Sequence, residues 1–258
     1  MLNRTTPLAL AALLFGFSSC CLAHDYGVVL IENPPTNHTL FLGISAYKEP
    51  TYLGSDFNRN RLEPLLELYT EDGKFLNYSS GAGINFSDSK SWQYGVSIDP
   101  REPYKISKSA NPRLITSEIK APADIGYRLE VGPFLNYMPI EGIMLLGSIK
   151  AGAARSHNGA TADMGVLFGV PIAERITFSY LADIKATNSV FSEDYFAVSS
   201  AGIKSASSIF SVEYDFSRAW SVNITDGRAI LLRDAKASPA ALNKSGNSYE
   251  LEIEYQYW

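Results

Sequence analysis

The sequence predicts an all-β fold: one transmembrane antiparallel β-barrel, with twelve strands as the first reading and ten as the alternative. Three observations lead there. The last ten residues, Tyr249-Glu-Leu-Glu-Ile-Glu-Tyr-Gln-Tyr-Trp258, alternate apolar and polar side chains without a break. Successive strand side chains point to opposite faces, so Tyr249, Leu251, Ile253, Tyr255 and Tyr257 meet one environment and Glu250, Glu252, Glu254 and Gln256 the other. The N-terminus reads as a secretory leader, and beyond it no run approaches the roughly 18 apolar residues that a membrane helix requires.

The leader comprises a short positive start at Asn3 and Arg4, an apolar stretch over residues 7–17, and a small-residue site, Cys21-Leu22-Ala23, with cleavage after Ala23. This assigns residues 1–23 to a signal peptide and 24–258 to one barrel domain. A rival reading takes Phe17-Ser-Ser-Cys20 as a lipobox with Cys20 as the lipidated residue. Both cysteines lie in the leader, so a chain beginning at residue 24 has no disulfide, thiolate metal site or cysteine nucleophile. Fifteen Tyr and thirteen Phe suit aromatic girdles at two membrane interfaces, and the net charge of −5 argues against nucleic acid as a partner.

Period-two segments bounded by turn residues supply the other strands: 39–47, 61–70, 74–86, 91–99, 113–121, 125–137, 142–154, 161–170, 175–186, 205–216 and 219–232. Of these, 113–121 carries the weakest alternation. Four connections are short, namely 71–74, 138–141, 171–174 and 217–218, and the first holds the Asp72-Gly73 signal of a tight hairpin. Counting 113–121 as a strand puts all four at the periplasmic end and the long segments 48–60, 188–204 and 233–246 outside. The exception is 100–112. With Arg101, Lys105 and Lys108 it becomes a long periplasmic turn, either a solvated basic loop or a periplasmic contact surface.

Residues for chemistry are sparse. The mature histidines are His24, His38 and His157; the first two flank the first strand in a segment read as mobile. Ser156 beside His157 is a vicinal pair, whereas a triad needs a nucleophile placed in space and an orienting third group. No HExxH, EF-hand or CxxC pattern occurs, so neither metal nor cofactor is expected. Asp56, Asp88, Glu193 and Asp194 fall in expected outer loops, as ordinary solvated charge or as divalent-ion bridges to lipopolysaccharide. Inward Glu63, Glu67, Glu250, Glu252 and Glu254 either line a cation-preferring path or pair with inward Arg128 and Lys150 in a closed polar lumen.

The stretch from Pro50 to Phe75 contains Pro50, Tyr52, Gly54, Ser55, Arg61, Pro64 and Tyr69 in an order that resembles the N-terminal signature of the MipA/OmpV family. Residues 232–239, with Ser238 and Pro239, resemble the family's Asp-Ala-x-x-Ser-Pro loop. Tyr195-Phe-Ala-Val-Ser199 is similar to its Tyr-Phe-Gly-Val-Ser segment, with Ala197 in the glycine's place. The resemblance implies a protein of the Gram-negative outer membrane, in contact with lipid, lipopolysaccharide and the barrel assembly machinery. It further implies a non-enzymatic scaffold for a lytic transglycosylase and a murein synthase; a small-solute porin or a surface adhesin is the alternative. The terminal aromatic departs from the barrel pattern. Trp258 falls on the glutamate face, so Tyr255-Gln-Tyr257 reads as the assembly signal with one residue added.

Overall fold

The computed structural model describes residues 27–31, 37–77, 80–101, 127–153 and 159–257, and its twelve antiparallel strands close into one barrel. They are β1 (Thr39–Pro50), β2 (Asn58–Tyr69), β3 (Lys74–Asn77), β4 (Gly81–Asn85), β5 (Trp92–Arg101), β6 (Arg128–Ile140), β7 (Ile143–Ala153), β8 (Ala160–Ala173), β9 (Ile176–Thr187), β10 (Gly202–Asp215), β11 (Trp220–Leu231) and β12 (Ser245–Gln256). Each pairs with its neighbours in sequence, and β1 closes the seam on β12. A helix, α1 (Ser189–Phe196), lies between β9 and β10, and a 3-10 helix, Arg233–Ala237, between β11 and β12.

The alternation that suggested strands also fixes which side of the wall each residue occupies. Leu42, Ile44, Leu62, Val96, Ile98, Ile149, Leu251 and Ile253 stand exposed on the outer surface. Ser45, Glu49, Glu63, Asp99, Asn136 and Lys150 are buried inside. Lys150, Lys204 and Glu49 rank among the largest fully buried side chains, an inversion of the soluble-protein rule that only a lipid-facing exterior makes favourable. No helix among the described residues is long and apolar enough to cross a membrane, so the strands do the crossing.

The twelve strands arise differently from the expected twelve. Residues 74–86, expected as one strand, are the hairpin β3–β4, in which Leu76 faces Ala82 and Lys74 faces Ile84. Gly81 turns the corner at φ +77°, where other residues are strained. The expected strand 113–121 lies outside the described residues, and β5 pairs directly with β6 over Trp92↔Tyr137 to Arg101↔Arg128. Strand directions change accordingly. The short connections 70–73, 141–142, 174–175 and 216–219 all meet at one end, the periplasmic one, as expected. The chain after Arg101, however, leaves at the opposite end, together with 51–57, 188–201 and 232–244. Arg101 therefore ends β5 at the outer rim and not at the periplasmic end expected of it; Lys105 and Lys108 lie outside the described residues. Asp88, expected outside, sits exposed in the 86–91 connection at the periplasmic end.

Lipid-facing aromatics mark that same end. Trp92 stacks on Tyr137 with centroids 4.1 Å apart, Trp220 lies 4.9 Å from Tyr255, and Tyr180 lies 4.5 Å from Phe210. Rings of this kind, apolar in body with a polar edge, settle at the headgroup level. Tyr255 and Tyr257 keep the outward phase of β12, and Tyr257 donates its backbone N–H to Leu40, 2.8 Å away. Trp258 lies outside the described residues.

The filled lumen and its loop cap as candidate functional site

A twelve-stranded barrel has more interior than its wall side chains fill. Strands about 4.8 Å apart and tilted by about 40° make a backbone cylinder roughly 24 Å across. Its axis is thus about 12 Å from the wall, close to the ~10 Å at which one sheet packs on another. Part of this space is taken by the chain's own residues Gly27 to Ile31. Val28 (3% exposed) and Leu30 pack towards Leu146, Leu181 and Ile209, while Val29 (0%) and Ile31 pack towards Tyr69, Phe75, Phe134 and Phe41. Alternate residues therefore address opposite walls, as an extended segment requires.

Polar wall residues satisfy the segment's backbone. Ser148 Oγ donates to the Gly27 carbonyl at 2.5 Å, Asn136 Nδ2 to Val29 at 2.9 Å and Gln93 Nε2 to Ile31 at 3.1 Å. Ser80 both donates to the Leu30 carbonyl at 2.8 Å and accepts its N–H at 2.9 Å. A carbonyl buried without a partner costs as much as a lost hydrogen bond, so these donors make burial of a bare backbone possible. At Gly27 a Cβ would stand 1.9 Å from the Asp163 carboxylate carbon, so any larger residue there forces the buried Asp163 side chain to move.

Above the segment the lumen is charged. Lys150 Nζ meets Asp99 Oδ2 at 2.9 Å with both side chains buried, Lys185 lies 3.8 Å from Asp163, and Arg59 Nε donates to Glu49 at 2.8 Å. Arg61 pairs with Glu63 and stands over the Tyr47 ring. Of the two alternatives for the inward glutamates, pairing with Arg128 and Lys150 is set aside by their placement on separate parts of the wall. Glu63 and Glu67 on β2 and Glu250, Glu252 and Glu254 on β12 flank β1, whereas Arg128 and Lys150 lie on β6 and β7. Arg128 places its guanidinium 4.2 Å over the Tyr195 ring instead. Glu250 accepts from Ser45, and Glu252 accepts from Asn223 Nδ2 at 3.0 Å.

Three loops bridge the outer mouth, and they carry the three motifs. Gly54, at φ +106°, turns its carbonyl to the backbone N–H groups of Leu242 and Asn243 at 2.8 and 2.9 Å. Tyr52 donates its hydroxyl to the Ala240 carbonyl at 3.0 Å; burial raises its pKa, helped by the charge of Asp56, so the donor proton is retained. Buried Ser55 lies 2.7 Å from the Thr51 hydroxyl, and buried Ser238 accepts the Ala240 N–H at 3.1 Å. Asp234 accepts from Lys204 Nζ at 2.7 Å and from Ser200, and these hydrogen bonds hold its carboxyl below the usual range. Leu231, Ala235, Phe191 and Phe196 form the apolar filling, with Leu53, Tyr195, Val198 and Ala241 around them.

The remaining motif residues are distributed. Pro50 ends β1 beside Gly246, and half-buried Pro239 follows Ser238. Pro64 is exposed on the lipid face, where its missing N–H is opposite Ile44. Tyr69 sits at the bottom of the lumen against the N-terminal segment, donating to Glu67 at 2.9 Å and accepting from Asn77 at 2.5 Å. Ala197 ends α1 in the left-handed conformation, φ 51° and ψ 35°, which is why glycine is the resemblance's usual occupant. His24 and His157 lie outside the described residues, and His38 is exposed before β1. Among the described residues no cluster of His, Cys, Asp and Glu could hold a metal ion.

The model of one family, described as "MltA-interacting protein MipA", matches residues 42–257. The chain belongs to the MipA family. The matched span runs from within β1 to the residue after β12 and includes all three loops of the cap. No curated protein matches the sequence. Among solved structures, the chain is similar to a NanC porin at 11% identity and a TM-score of 0.44, covering 83% of this chain and 98% of that one. It is similar to the COG4313 outer membrane channel from Pseudomonas putida F1 at 12% identity and a TM-score of 0.45, covering 90% and 98%. A KdgM porin gives 9% identity and a TM-score of 0.42 over 84% and 99%. Family and architecture together make the chain an outer-membrane β-barrel.

Proposed function

We propose that this barrel is a non-enzymatic scaffold that presents its periplasmic end to a lytic transglycosylase, and with it to a murein synthase, in peptidoglycan metabolism. The observation that carries the reading is the filled lumen. A barrel whose interior holds its own chain and whose mouth is bridged by loops offers surfaces to partners more readily than a path to solutes. The family's description, which names an MltA-interacting protein, supports a protein partner over a small molecule.

The surface available to such a partner consists of the short connections. Glu71, Asp72, Asp88, Lys90, Glu141, Glu174 and Arg218 are exposed there, beneath the aromatic girdle. Detergent-extracted barrel bearing an affinity tag in an outer loop should retain an MltA-type lytic transglycosylase. Charge reversal at Glu71, Asp72, Asp88 and Lys90 should reduce that retention. A folded barrel that recovers no murein enzyme would overturn the scaffold reading.

A further inference from the structure

The lumen holds a backbone segment as well as packed side chains. Ser148, Asn136, Ser80 and Gln93 come from β7, β6, the β3–β4 turn and β5, and all four aim donors at carbonyls of one five-residue segment. Asn136 is itself 1% exposed and is held by a second bond to Gln93 Oε1 at 3.0 Å, so its amide is oriented by the wall. Two apolar pockets on opposite walls take alternate side chains. Recognition of backbone carbonyls with alternating apolar pockets is how proteins bind extended peptides generally. In sequence the segment precedes β1. Gly27 marks the point of closest fit, against Asp163.

We infer that the lumen is a binding site for an extended apolar peptide, and that residues 27–31 are its resident ligand, a removable plug whose occupancy closes the barrel. Without the segment, the space it fills, comparable to the thickness of one packed strand and on the order of 10 Å across, is vacated in the lumen beneath the loop cap. This inference depends on the barrel and its segment alone, so it stands or falls separately from the murein partner.

The test is conductance in planar bilayers, with folding of every variant checked by heat-modifiable migration on gels. The full chain should be silent, and a variant lacking Gly27 to Ile31 should give stepwise conductance. Adding the peptide Gly-Val-Val-Leu-Ile with a C-terminal lysine tail should close that variant dose-dependently. A control, Gly-Ser-Ser-Gln-Thr with the same tail, should not. Two variants keep all chain elements and guard against a deletion that fails to fold. Gly27→Phe cannot seat against Asp163 and should conduct. Asn136→Leu, which removes the donor to Val29, should raise the open fraction about tenfold, the factor that about 1.4 kcal/mol gives. A folded deletion or Gly27→Phe barrel that stays silent would overturn the proposal. So would closure by both peptides alike, which would mark plain electrostatic block of an acidic lumen.

Discussion

Replacing Lys150 by methionine removes a charge from the Asp99 pair while leaving the aliphatic stem's volume in place. Both partners are nearly fully buried, at 2% and 3% exposure, and their contact is 2.9 Å. The register places buried Glu130 directly across from Asp99, so the variant withdraws a positive charge from beside a second buried carboxylate. Breaking a buried pair from one side costs about 3–5 kcal/mol, and the neighbouring carboxylate moves the expectation to the upper part of that range. With a urea slope of about 2–3 kcal/mol per molar for a chain of this size, the unfolding midpoint should fall by roughly 1.5–2 M. The assay is urea unfolding in detergent micelles, followed by tryptophan fluorescence and by loss of the heat-modifiable band. The double variant Asp99→Leu with Lys150→Met should recover most of the loss, because two charges leave together. A single-variant shift below about 0.3 M, or a double variant no better than the single, would refute the reasoning that desolvated charge governs stability here.

Ala197→Gly should stabilise the barrel by about 0.5–1 kcal/mol, since it relieves a left-handed backbone at the end of α1 at the expense of some unfolded-state freedom; a lowered unfolding midpoint would contradict this. The Asp234 carboxyl is held below its usual range, so its link to Lys204 contributes stability above about pH 4 and loses it as pH falls through the lower folded value. Hydrogen exchange of residues 233–244 should accelerate in that acid window, and Asp234→Asn should show the fast exchange already at neutral pH. In a recombinant chain beginning at residue 24, Val29→Cys should react with a membrane-impermeant maleimide at least about tenfold more slowly than His38→Cys, a factor set by about 1.4 kcal/mol of seating free energy. Equal rates would mean that the segment is not seated.

How far the sequence could be read depended on what its alternation was reporting. A lipid-facing wall demands strict period two, so β12 and the faces of β1, β2, β5 and β9 were legible residue by residue. The same rule hid the β3–β4 hairpin. Leu76 opposes Ala82 and Lys74 opposes Ile84, so even-numbered residues face outward on both arms, and the pattern runs through the turn as though the strand were straight. Ser79, Ser80 and Gly81 were the available signal. Parity then propagated that single error to Asp88 and Arg101.

The cap was visible as three separate motifs but not as a cluster, because contacts such as Tyr52 to Ala240 join residues far apart in the chain. Helix α1 announced itself only through Asn188, whose side chain accepts the Phe191 N–H, and through an alanine where a glycine is usual. The lumenal segment was missed for a plainer reason. Gly27-Val-Val-Leu-Ile31 is too apolar for a mobile linker, but period-two analysis looks for walls and not for what lies between them.

The seat of Gly27 also limits what can be joined to the chain ahead of it. Its carbonyl is bonded to Ser148 at mid-barrel, beneath loops that tie Gly54 to residues 242 and 243. Anything attached ahead of Gly27 when the β1–β12 seam closes must share that enclosed space or hold the segment out of it. By the same geometry, a purification tag joined directly ahead of Gly27 would interfere with the very element it was meant to leave untouched.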